Sequence, residues 1–380
     1  MVRSITAIEP GDWDSLNTTG DYFKSHEFIK IIEDSDIENS IFWYVLIYNG
    51  DSLSAAAVFC SFRMNLGLFL EGFGRKAVEF SRMVFPQFMK VRFLFCGLPI
   101  SLGKDAILIK DPLQTSEIIR ILADESKKIA AENKIKVTCF KEFFPGSGAA
   151  YLEELGFIKA WSIPYVGFNN TFNSFAEYLQ RLRHPFRRQI VKSLPKADLS
   201  AVGVTGTRLN SDHAILEVAV LNPADADTLY AQYLNIMSKA TNILEYLNID
   251  FFRNILACST KGKLLLLKKD DLIIGNALLA EEEQKLIFML IGIQEEYRHQ
   301  YNTYFNLLNA VIAYGIQHGY PTIGLGQTSY YAKMRLGGQN HPMVIYNHSN
   351  NKLVHWALKV FKNLIFPELY IKDLKVYTKN

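Results

Sequence analysis

Residues 285–338 read KLIFMLIGIQEEYRHQYNTYFNLLNAVIAYGIQHGYPTIGLGQTSYYAKMRLGG. The run from Lys285 to Ile293 is apolar enough for a buried strand, and the periodic apolar positions further on predict an amphipathic helix. This helix is expected to end at Gly319, because a glycine there and Pro321 just beyond are typical of helix C-termini. A second strand-like run, PTIGLG, leads into a segment that contains Lys333. The stretch therefore predicts a strand–helix–strand unit of an α/β protein.

The first half of the chain has a similar order of elements. Asn49-Gly50-Asp51 separates two β-rich runs, which indicates a hairpin, and a second hairpin is expected to turn at residues 269–271. The run Tyr151-Leu-Glu-Glu-Leu-Gly156 has the pattern of Tyr331-Ala-Lys-Met-Arg-Leu-Gly337. Such internal similarity predicts a duplicated α/β unit. We place a further strand of the first half near residues 106–109 and divide the chain into domains 1–168 and 169–380.

Composition limits the classes of protein that need to be considered. The chain has 380 residues, of which 49% are hydrophobic, so it can build a sizeable core, and two domains are expected at roughly 100–200 residues each. A formal net charge of +3 is low for a protein that coats duplex nucleic acid, so any anion site must be local. No secretory leader or membrane-spanning run is recognised, and the four cysteines form no CxxC pair. We therefore expect a cytoplasmic protein with reduced, mostly buried thiols.

A basic segment lies between the two halves. From residue 181 to 196 it contains no acidic residue and six cations: Arg181, Arg183, Arg187, Arg188, Lys192 and Lys196. Pro185 suits the first turn of a helix, which would place Arg188 and Lys192 one turn apart on the polar side. Like charges at that spacing repel, and a phosphate group would convert the repulsion into binding. A phosphate site and a merely solvated helix remain equally open.

The junction that opens the late helix, and Lys333 itself, are the other candidates for chemistry. Free backbone N–H groups at a helix start can bind an anion, although an ordinary strand–helix connection would have the same spacing. A lysine just after a strand end can stabilise an oxyanion or hold a phosphate. The alternative is a surface lysine whose stem lies along apolar neighbours.

The C-terminal helix predicted around residues 352–366 combines apolar and basic residues. Trp356, Phe361, Leu364 and Ile365 alternate with Lys352, Lys359 and Lys362. Packing against its own domain is expected, because amphipathic helices usually cover a core. Peripheral contact with a membrane is the alternative.

Taken in order, these elements resemble the GCN5-related N-acyltransferase (GNAT) superfamily and, within it, the two-domain Fem family of aminoacyl transferases. The resemblance is carried by Glu296-Tyr297-Arg298 running into TYFNLLNAVIAYGIQHGY, by IGLGQTSYYAKMRLGG and by the basic segment YLQRLRHPFRRQIVKS. It implies an α/β (α+β) fold of tandem GNAT-like domains. Each domain would be a mixed, mainly antiparallel sheet flanked by helices, and the C-terminal one would carry the donor site.

The resemblance also implies an activity. Members of the family transfer an acyl or aminoacyl group from acyl-CoA, an acyl-carrier protein or aminoacyl-tRNA to an amine, which in Fem enzymes belongs to a peptidoglycan-precursor peptide. No resident cofactor or metal is implied, and the acceptor would be a small molecule or a peptide. A tRNA or a carrier protein would be the partner that brings the donor.

Site residues follow by position in the matched motifs. Lys333 would stabilise the tetrahedral oxyanion, and Tyr330 and Tyr331 are candidate acids for the leaving group. The remaining candidates bind the donor (Arg298, Gln300, Asn302, Thr303, Gln327 and Arg335) or phosphate (Arg187, Arg188 and Lys192).

One departure from the GNAT pattern affects the donor. Tyr301 and Thr303 stand where the acetyl-CoA motif has glycine or alanine, and glycine is what lets a backbone approach a pyrophosphate closely. The departure argues against simple acetyl-CoA and leaves tRNA and carrier-bound donors open. It also leaves open a non-catalytic binding protein with a degenerate GNAT site.

Overall fold

The computed structural model describes residues 1–65, 90–240 and 245–378. The chain forms two compact units. The first consists of Met1–Ile163, Asn242–Leu247 and Pro342–Leu369, and the second of Pro164–Thr241, Asn248–His341 and Tyr370–Asn380. The expected division at 168/169 lies near the one at 163/164, whereas residues 342–369, expected in the C-terminal domain, belong to the first unit.

The sheet of the first unit is mixed, with strand order β1-β2-β3-β5-β13 and β4 beside β2. Its strands are β1 (Ile41–Asn49), β2 (Ser52–Asn65), β3 (Lys90–Cys96), β4 (Ile107–Ile109), β5 (Val137–Phe143) and β13 (Gln339–His348), of which residues 342–348 lie in this unit. β3 and β5 pair in parallel and the other neighbours are antiparallel. Gly50 turns the β1–β2 hairpin in the left-handed region, which confirms the predicted turn.

Five helices accompany this sheet in the described part of the first unit. They are α1 (Pro10–Asp14), α2 (His26–Asp34), α3 (Thr115–Glu132), α4 (Tyr151–Glu154) and α11 (Lys352–Ile365). α3 buries Ile118, Leu122 and Ile129 against the sheet. Burying each such side chain contributes roughly 1.5–3 kcal/mol. α11 buries only Leu358, so the expectation that it covers its own domain holds for one side of the helix.

The sheet of the second unit has the order β6-β12-β11-β10-β9-β8-β7. Its strands are β6 (Ile158–Asn169), of which residues 164–169 lie in this unit, β7 (Ala197–Asp198), β8 (Ala214–Ala219), β9 (Gly262–Lys269), β10 (Leu272–Glu281), β11 (Lys285–Ile293) and β12 (Thr322–Gly326). Its helices within the described residues are α5 (Phe175–Arg181), α6 (His184–Ser193), α7 (Ala226–Met237), α8 (Ile249–Cys258), α9 (Thr303–Gln317) and α10 (Tyr330–Arg335).

The helix α9 is the centre of the second unit. Its residues are buried almost all round, so the helix predicted as amphipathic is instead enclosed on nearly every face, as is typical of a helix in the centre of its domain. Gly315 lets the helix lie close to β12, because a Cβ at this position would be 2.3 Å from Cδ1 of Ile323. The helix ends before Gly319, which has φ +68°, as predicted from the sequence.

The internal repeat predicted from the sequence is present in the fold. A hairpin, a strand, a helix, a strand and a short helix follow one another as β1–β2, β3, α3, β5, α4 and again as β9–β10, β11, α9, β12, α10. Both short helices are followed by a left-handed glycine, Gly156 and Gly337. The strand equivalent to β11 is Lys90–Cys96, which the sequence analysis missed, because its two cations interrupt the apolar run. Residues 107–109 form only the short β4 beside β2.

Candidate active site of the second unit

Two neighbouring parallel strands separate at their carboxyl ends. β11 pairs with β12 at Lys285–Thr322, Leu286–Ile323 and Ile287–Gly324, and the pairing stops there although both strands continue. The backbone groups beyond the last pair are therefore not used by this ladder. Clefts at the carboxyl ends of parallel strands are common ligand sites in α/β proteins.

The other side of β11 is irregular at the same level. In the pairing with β10, Leu278 is opposite Leu290 and Leu279 is opposite Phe288, so Met289 is an extra residue. Such a bulge locally disrupts the ladder and re-aims side chains, and bulges are frequent beside active sites. At this level β11 has no partner on β12, and its pairing with β10 is interrupted by the bulge at Met289.

Lys333 lies at this gap. Its side chain is only 3% exposed, which excludes the alternative of a surface lysine. The ammonium donates a hydrogen bond of 2.8 Å to the carbonyl oxygen of Gln327 and lies 5.8 Å from the ring centroid of Phe288. A Cβ on Gly326 would be 3.5 Å from the carbonyl oxygen of Phe288 and 3.9 Å from Nζ. The ammonium of Lys333 therefore lies between the end of β12 and Phe288, the first residue of β11 that has no partner on β12.

Burial also changes the acidity of this lysine. Loss of solvation lowers the pKa of Lys333 to about 7. Among the described residues it forms no ion pair that would offset this effect. An ammonium has three N–H donors, and one is used by Gln327, so two are available to a substrate oxygen.

The loop that carries the chain from β12 to α10 has unusual backbone angles. Gly326, Thr328 and Ser329 have φ values of +73°, +63° and +49°. The left-handed region is unfavourable for non-glycine residues and especially for a β-branched one, and such conformations cost on the order of 1–3 kcal/mol each. This strained turn starts α10 at Tyr330 and so returns Lys333 to the strand end.

The two tyrosines of α10 have different surroundings. Tyr330 is partly buried against the core, and burial raises its pKa to about 12, so its hydroxyl is protonated at neutral pH. Tyr331 is 72% exposed, and its hydroxyl oxygen accepts a hydrogen bond of 3.1 Å from Nη1 of Arg335. Tyr330 is therefore the more sheltered of the two hydroxyls, and its raised pKa makes it a weaker acid than a free tyrosine.

Arg335 joins α10 to the basic helix α6. Its Nε donates to Oε1 of Gln189, and its guanidinium lies over the rings of Phe186 at 5.2 Å and Tyr331 at 5.3 Å. A small pocket between α6, α9 and α10 is lined by Phe186, Gln189, Ile190, Ser193, Phe305, Asn309, Ala332, Arg335 and Leu336. Arg335 is thus placed at the wall of a pocket and not beside the ammonium of Lys333.

Side-chain amides of α9 donate hydrogen bonds to the last residue of the basic helix α6. Nδ2 of Asn306 donates to the carbonyl oxygen of Ser193 at 3.1 Å, and Nδ2 of Asn309 donates to Oγ of the same serine at 3.1 Å. The polar side of α6 carries Arg188 and Lys192, both exposed, and the half-buried Arg187. None of the three forms an ion pair with a described residue. This side of the helix therefore offers uncompensated positive charge to solvent.

The junction before α9 is closed by its own hydrogen bonds. The backbone N–H groups of Tyr301 and Thr303 donate to the carbonyl oxygens of Tyr297 and Arg298, at 3.2 and 3.1 Å. Thr303 is fully buried, and its Oγ1 donates to the carbonyl oxygen of Tyr297 at 2.9 Å. Asn302, with φ +47°, turns the chain into the helix. Two amides that could face an anion are thus already used.

The remaining junction residues bond to acids. Nε2 of Gln300 donates to Asp212 at 2.9 Å, and Nε of Arg298 donates to Glu295 at 2.8 Å. The structure therefore brings Lys333 and Gln327 together at the separated strands, and Tyr330 lies three residues before Lys333 on α10. Arg298, Gln300, Asn302 and Thr303 form a separate hydrogen-bonded junction.

Several features of the site were not anticipated. The bulge at Met289 and the gap beside Phe288 depend on strand register, which no local pattern in the sequence reveals. The amides of Asn306 and Asn309 were visible as polar residues within an apolar helix and could have indicated a buried network.

The first unit also buries a lysine beside the end of its parallel strand pair, on strand β5 and not on the helix that follows it. Lys141 follows Phe140, which makes the last parallel pair of β5 with β3. Its ammonium donates to the carbonyl oxygens of Leu98 and Ile100 and to Oγ of Ser101, at 3.0, 2.9 and 3.2 Å. All three of its donors are therefore used within the unit, in contrast to those of Lys333. Only the lysine of the second unit retains donors for a ligand.

Comparison with known proteins places the chain in a family. A family model described as FemAB-like, peptidoglycan biosynthesis/recognition, matches residues 4–321. No curated protein matches the chain in sequence.

Solved structures with similar folds include that of FemX, with 11% identity and a TM-score of 0.58 over 93% of this chain and 98% of that chain. The C-terminal domain of a putative lysylphosphatidylglycerol synthetase from Agrobacterium fabrum has 11% identity and a TM-score of 0.53, over 96% of this chain and 98% of that chain. L-PGS from Bacillus licheniformis has 11% identity and a TM-score of 0.50, over 94% of this chain and 97% of that chain.

These likenesses confirm the predicted α/β fold class, with mixed sheets flanked by helices in two units. At a general level, family and fold support an aminoacyl or acyl transferase. The chain belongs to the FemAB-like family.

Proposed function

We propose that this protein transfers an aminoacyl group from aminoacyl-tRNA to an amine of a peptidoglycan-precursor peptide. The observation that carries the proposal is the buried ammonium of Lys333 beside the separated ends of β11 and β12. An ester carbonyl that enters this gap would meet a cation with two unused N–H donors.

The chemistry requires little covalent participation by the protein. The amine attacks the ester carbonyl, a C–N bond forms, and the carbonyl oxygen becomes an oxyanion that Lys333 stabilises. The C–O bond to the ribose then breaks, and the proton lost by the amine ends on the leaving hydroxyl. Tyr330, which is protonated at neutral pH, is the residue proposed to assist this proton transfer. Positioning and oxyanion stabilisation in a site sheltered from water would supply most of the rate enhancement.

Two features favour an aminoacyl-tRNA over an acyl-CoA donor. A pyrophosphate needs free backbone amides and close approach, whereas the junction before α9 uses the amides of Tyr301 and Thr303 internally. The exposed cations Arg188 and Lys192 have no acidic partner among the described residues and suit the phosphates of a nucleic acid strand. The acceptor is proposed from the family description, which concerns peptidoglycan biosynthesis or recognition.

The test is a transfer assay with purified protein, a muramyl-pentapeptide acceptor, and either a panel of aminoacyl-tRNAs or acyl-CoAs as donors. We expect transfer from one class of aminoacyl-tRNA, and a loss of about 10²–10³ in kcat for Lys333→Ala. Lys261→Ala is the control, because Lys261 is an exposed cation of the same unit.

Three results would contradict the proposal in different ways. Unchanged turnover of Lys333→Ala would remove the lysine from the mechanism. Transfer from acyl-CoA alone would overturn the donor. Tight binding of the peptide without transfer from any donor would favour the non-catalytic binding protein with a degenerate site.

A further inference from the structure

The C-terminal helix α11 has two apolar stripes, and its packing accounts for only one. Val354, Leu358 and Ile365 lie on the side turned toward the first unit, where Leu358 is buried and the other two are half-buried. A second stripe consists of residues at positions i, i+3, i+7 and i+11, which share one face of a helix. Its members are 78%, 60%, 53% and 74% exposed: Leu353, Trp356, Val360 and Leu364.

This exposed stripe is larger than the isolated apolar side chains common on protein surfaces. Four large side chains lie in one line along the helix, and Phe361, also exposed, lies beside them. Contiguous apolar patches of this kind usually mark a binding surface. The side chains of the stripe are exposed instead of packing into the core of the first unit, so folding alone does not explain why they are apolar.

The charges around the stripe indicate what covers it. Lys352 and Lys359 are exposed and lie along one edge of the stripe, seven residues apart. Residues 349–367 contain no aspartate or glutamate. A second copy that docked through the same helix would therefore bring only further lysines to this edge and no acid to pair with them. An anionic lipid surface supplies both an apolar layer and negative phosphates.

We propose that α11 docks on an anionic lipid bilayer and lies parallel to its surface. Leu353, Trp356, Val360 and Leu364 insert at the boundary between headgroups and acyl chains, where tryptophan is favoured. Lys352 and Lys359 bind lipid phosphates. Among the described residues no helix is long and apolar enough to cross a bilayer, and the proposed contact is peripheral and reversible because a single short helix provides it.

The first test is co-sedimentation of the full chain with phosphatidylcholine vesicles, with and without about one third phosphatidylglycerol. With this fraction of anionic lipid, the electrostatic attraction of basic residues to the bilayer is large. We expect binding to the anionic vesicles only, weakened at least tenfold in Val360→Glu/Leu364→Glu. Leu113→Glu is the matched control, because Leu113 is an exposed leucine of the same unit and lies outside α11. The variants alter exposed side chains, and an unchanged melting temperature verifies that they fold.

The second test separates the charges from the apolar stripe. Lys352→Gln/Lys359→Gln is expected to reduce binding to anionic vesicles about tenfold and to weaken its dependence on salt. Trp356 should also report insertion, since Trp13 and Trp43 are buried and Trp161 is partly buried against the core of the first unit. Anionic vesicles should shift the tryptophan emission to the blue in the wild type and not in Trp356→Phe.

Two outcomes would overturn the proposal. Equal binding to neutral and anionic vesicles would show that charge is not involved. Absence of binding to either would also refute it. In that case, a dimer in light scattering that Val360→Glu/Leu364→Glu dissociates would identify a second copy as the occupant, and a monomer would leave the stripe uncovered.

Discussion

Lys333 is a residue at which stability and chemistry have opposite requirements. The second unit buries the ammonium of Lys333, which donates a hydrogen bond to the neutral carbonyl oxygen of Gln327. Burial lowers the pKa of Lys333 to about 7. A buried, unpaired charge costs several kcal/mol, so packing alone does not account for a lysine here. Strongly shifted pKa values of this kind cluster at functional sites.

The shifted pKa of Lys333 predicts how stability depends on pH. The ordinary pKa is 10.5 and the folded value is about 7, so between these values the unfolded chain binds more protons than the folded one. The free energy of unfolding should therefore rise from pH 7 toward pH 10. In Lys333→Met this rise should be smaller, and the variant should be about 1–3 kcal/mol more stable at pH 7. Urea denaturation across this range measures both.

The control for this experiment is Lys261→Met, which removes an exposed cation of the same unit. It should leave the pH dependence unchanged. An identical slope in wild type and Lys333→Met would show that the lysine is solvated in the folded protein.

At the scale of elements, the apolar and basic positions of helix α6 produce one buried side and one charged, exposed side. Pro185 lies in its first turn, as predicted, and Ile190 is buried against the core while Arg188 and Lys192 face solvent. The pattern at i and i+4 was readable from the sequence. The pocket that contains Arg335 was not readable, because it is lined by residues of α6 and α10, which are far apart in the sequence.

The basic side of α6 should contribute to donor binding if the donor is a tRNA. Removing both charges in Arg188→Ala/Lys192→Ala is expected to weaken tRNA binding about tenfold at moderate salt. The slope of log K against log salt should fall by about 1.4–1.8, the value for two phosphate contacts. Filter binding at several salt concentrations measures the effect.

For this pair, Arg253→Ala/Lys261→Ala serves as the comparison, since both residues are exposed cations elsewhere in the second unit. An affinity and a salt slope equal to those of the wild type in Arg188→Ala/Lys192→Ala would leave α6 as a solvated helix. This was the alternative open from the sequence.

At the scale of the whole molecule, each of the two units buries a lysine near the end of its parallel strand pair, and the two lysines have different surroundings. In the first unit, Lys141 is saturated by three acceptors, and the buried Glu142 and the half-buried Glu245 accompany it. Glu245 belongs to residues 242–247, which join the first unit although their neighbours in sequence belong to the second. Its carboxylate accepts a hydrogen bond of 2.9 Å from the backbone N–H of Ser101. This cluster therefore serves the integrity of the first unit.

Glu245 should make the chain less stable as pH rises. Burial raises its pKa from 4.5 to about 7, so between these values the folded state binds more protons than the unfolded state. The contribution of this group to stability is therefore greatest below pH 4.5 and is lost as pH rises through 7. Glu245→Gln should be more stable than the wild type at pH 8, by on the order of 1 kcal/mol.

Thermal denaturation between pH 5 and 8 tests this expectation. Glu154→Gln, an exposed position of the first unit, should not change the pH dependence. A lower melting temperature of Glu245→Gln at pH 8 would mean that the charged form is stabilised, which is opposite to the direction given.

The sequence by itself determined both hairpin turns, the start of α6, the end of α9 and most of the repeated series of elements, although strand β3 was missed. These features depend on residues close together in the chain, such as Gly50, Pro185 and Gly319, whose backbone preferences act locally. The position of Lys333 after a strand was also readable, but its proposed role followed from the resemblance to the GNAT and Fem families.

Only the tertiary structure decided the surroundings of these residues. Whether Lys333 is buried, where β11 leaves β12 and which residue forms the bulge depend on pairing between segments distant in sequence. The same holds for α11, since an amphipathic pattern does not indicate whether a second apolar stripe will be covered. Register and burial are properties of the assembled chain, because the free energy that sets them comes from contacts that no local window contains.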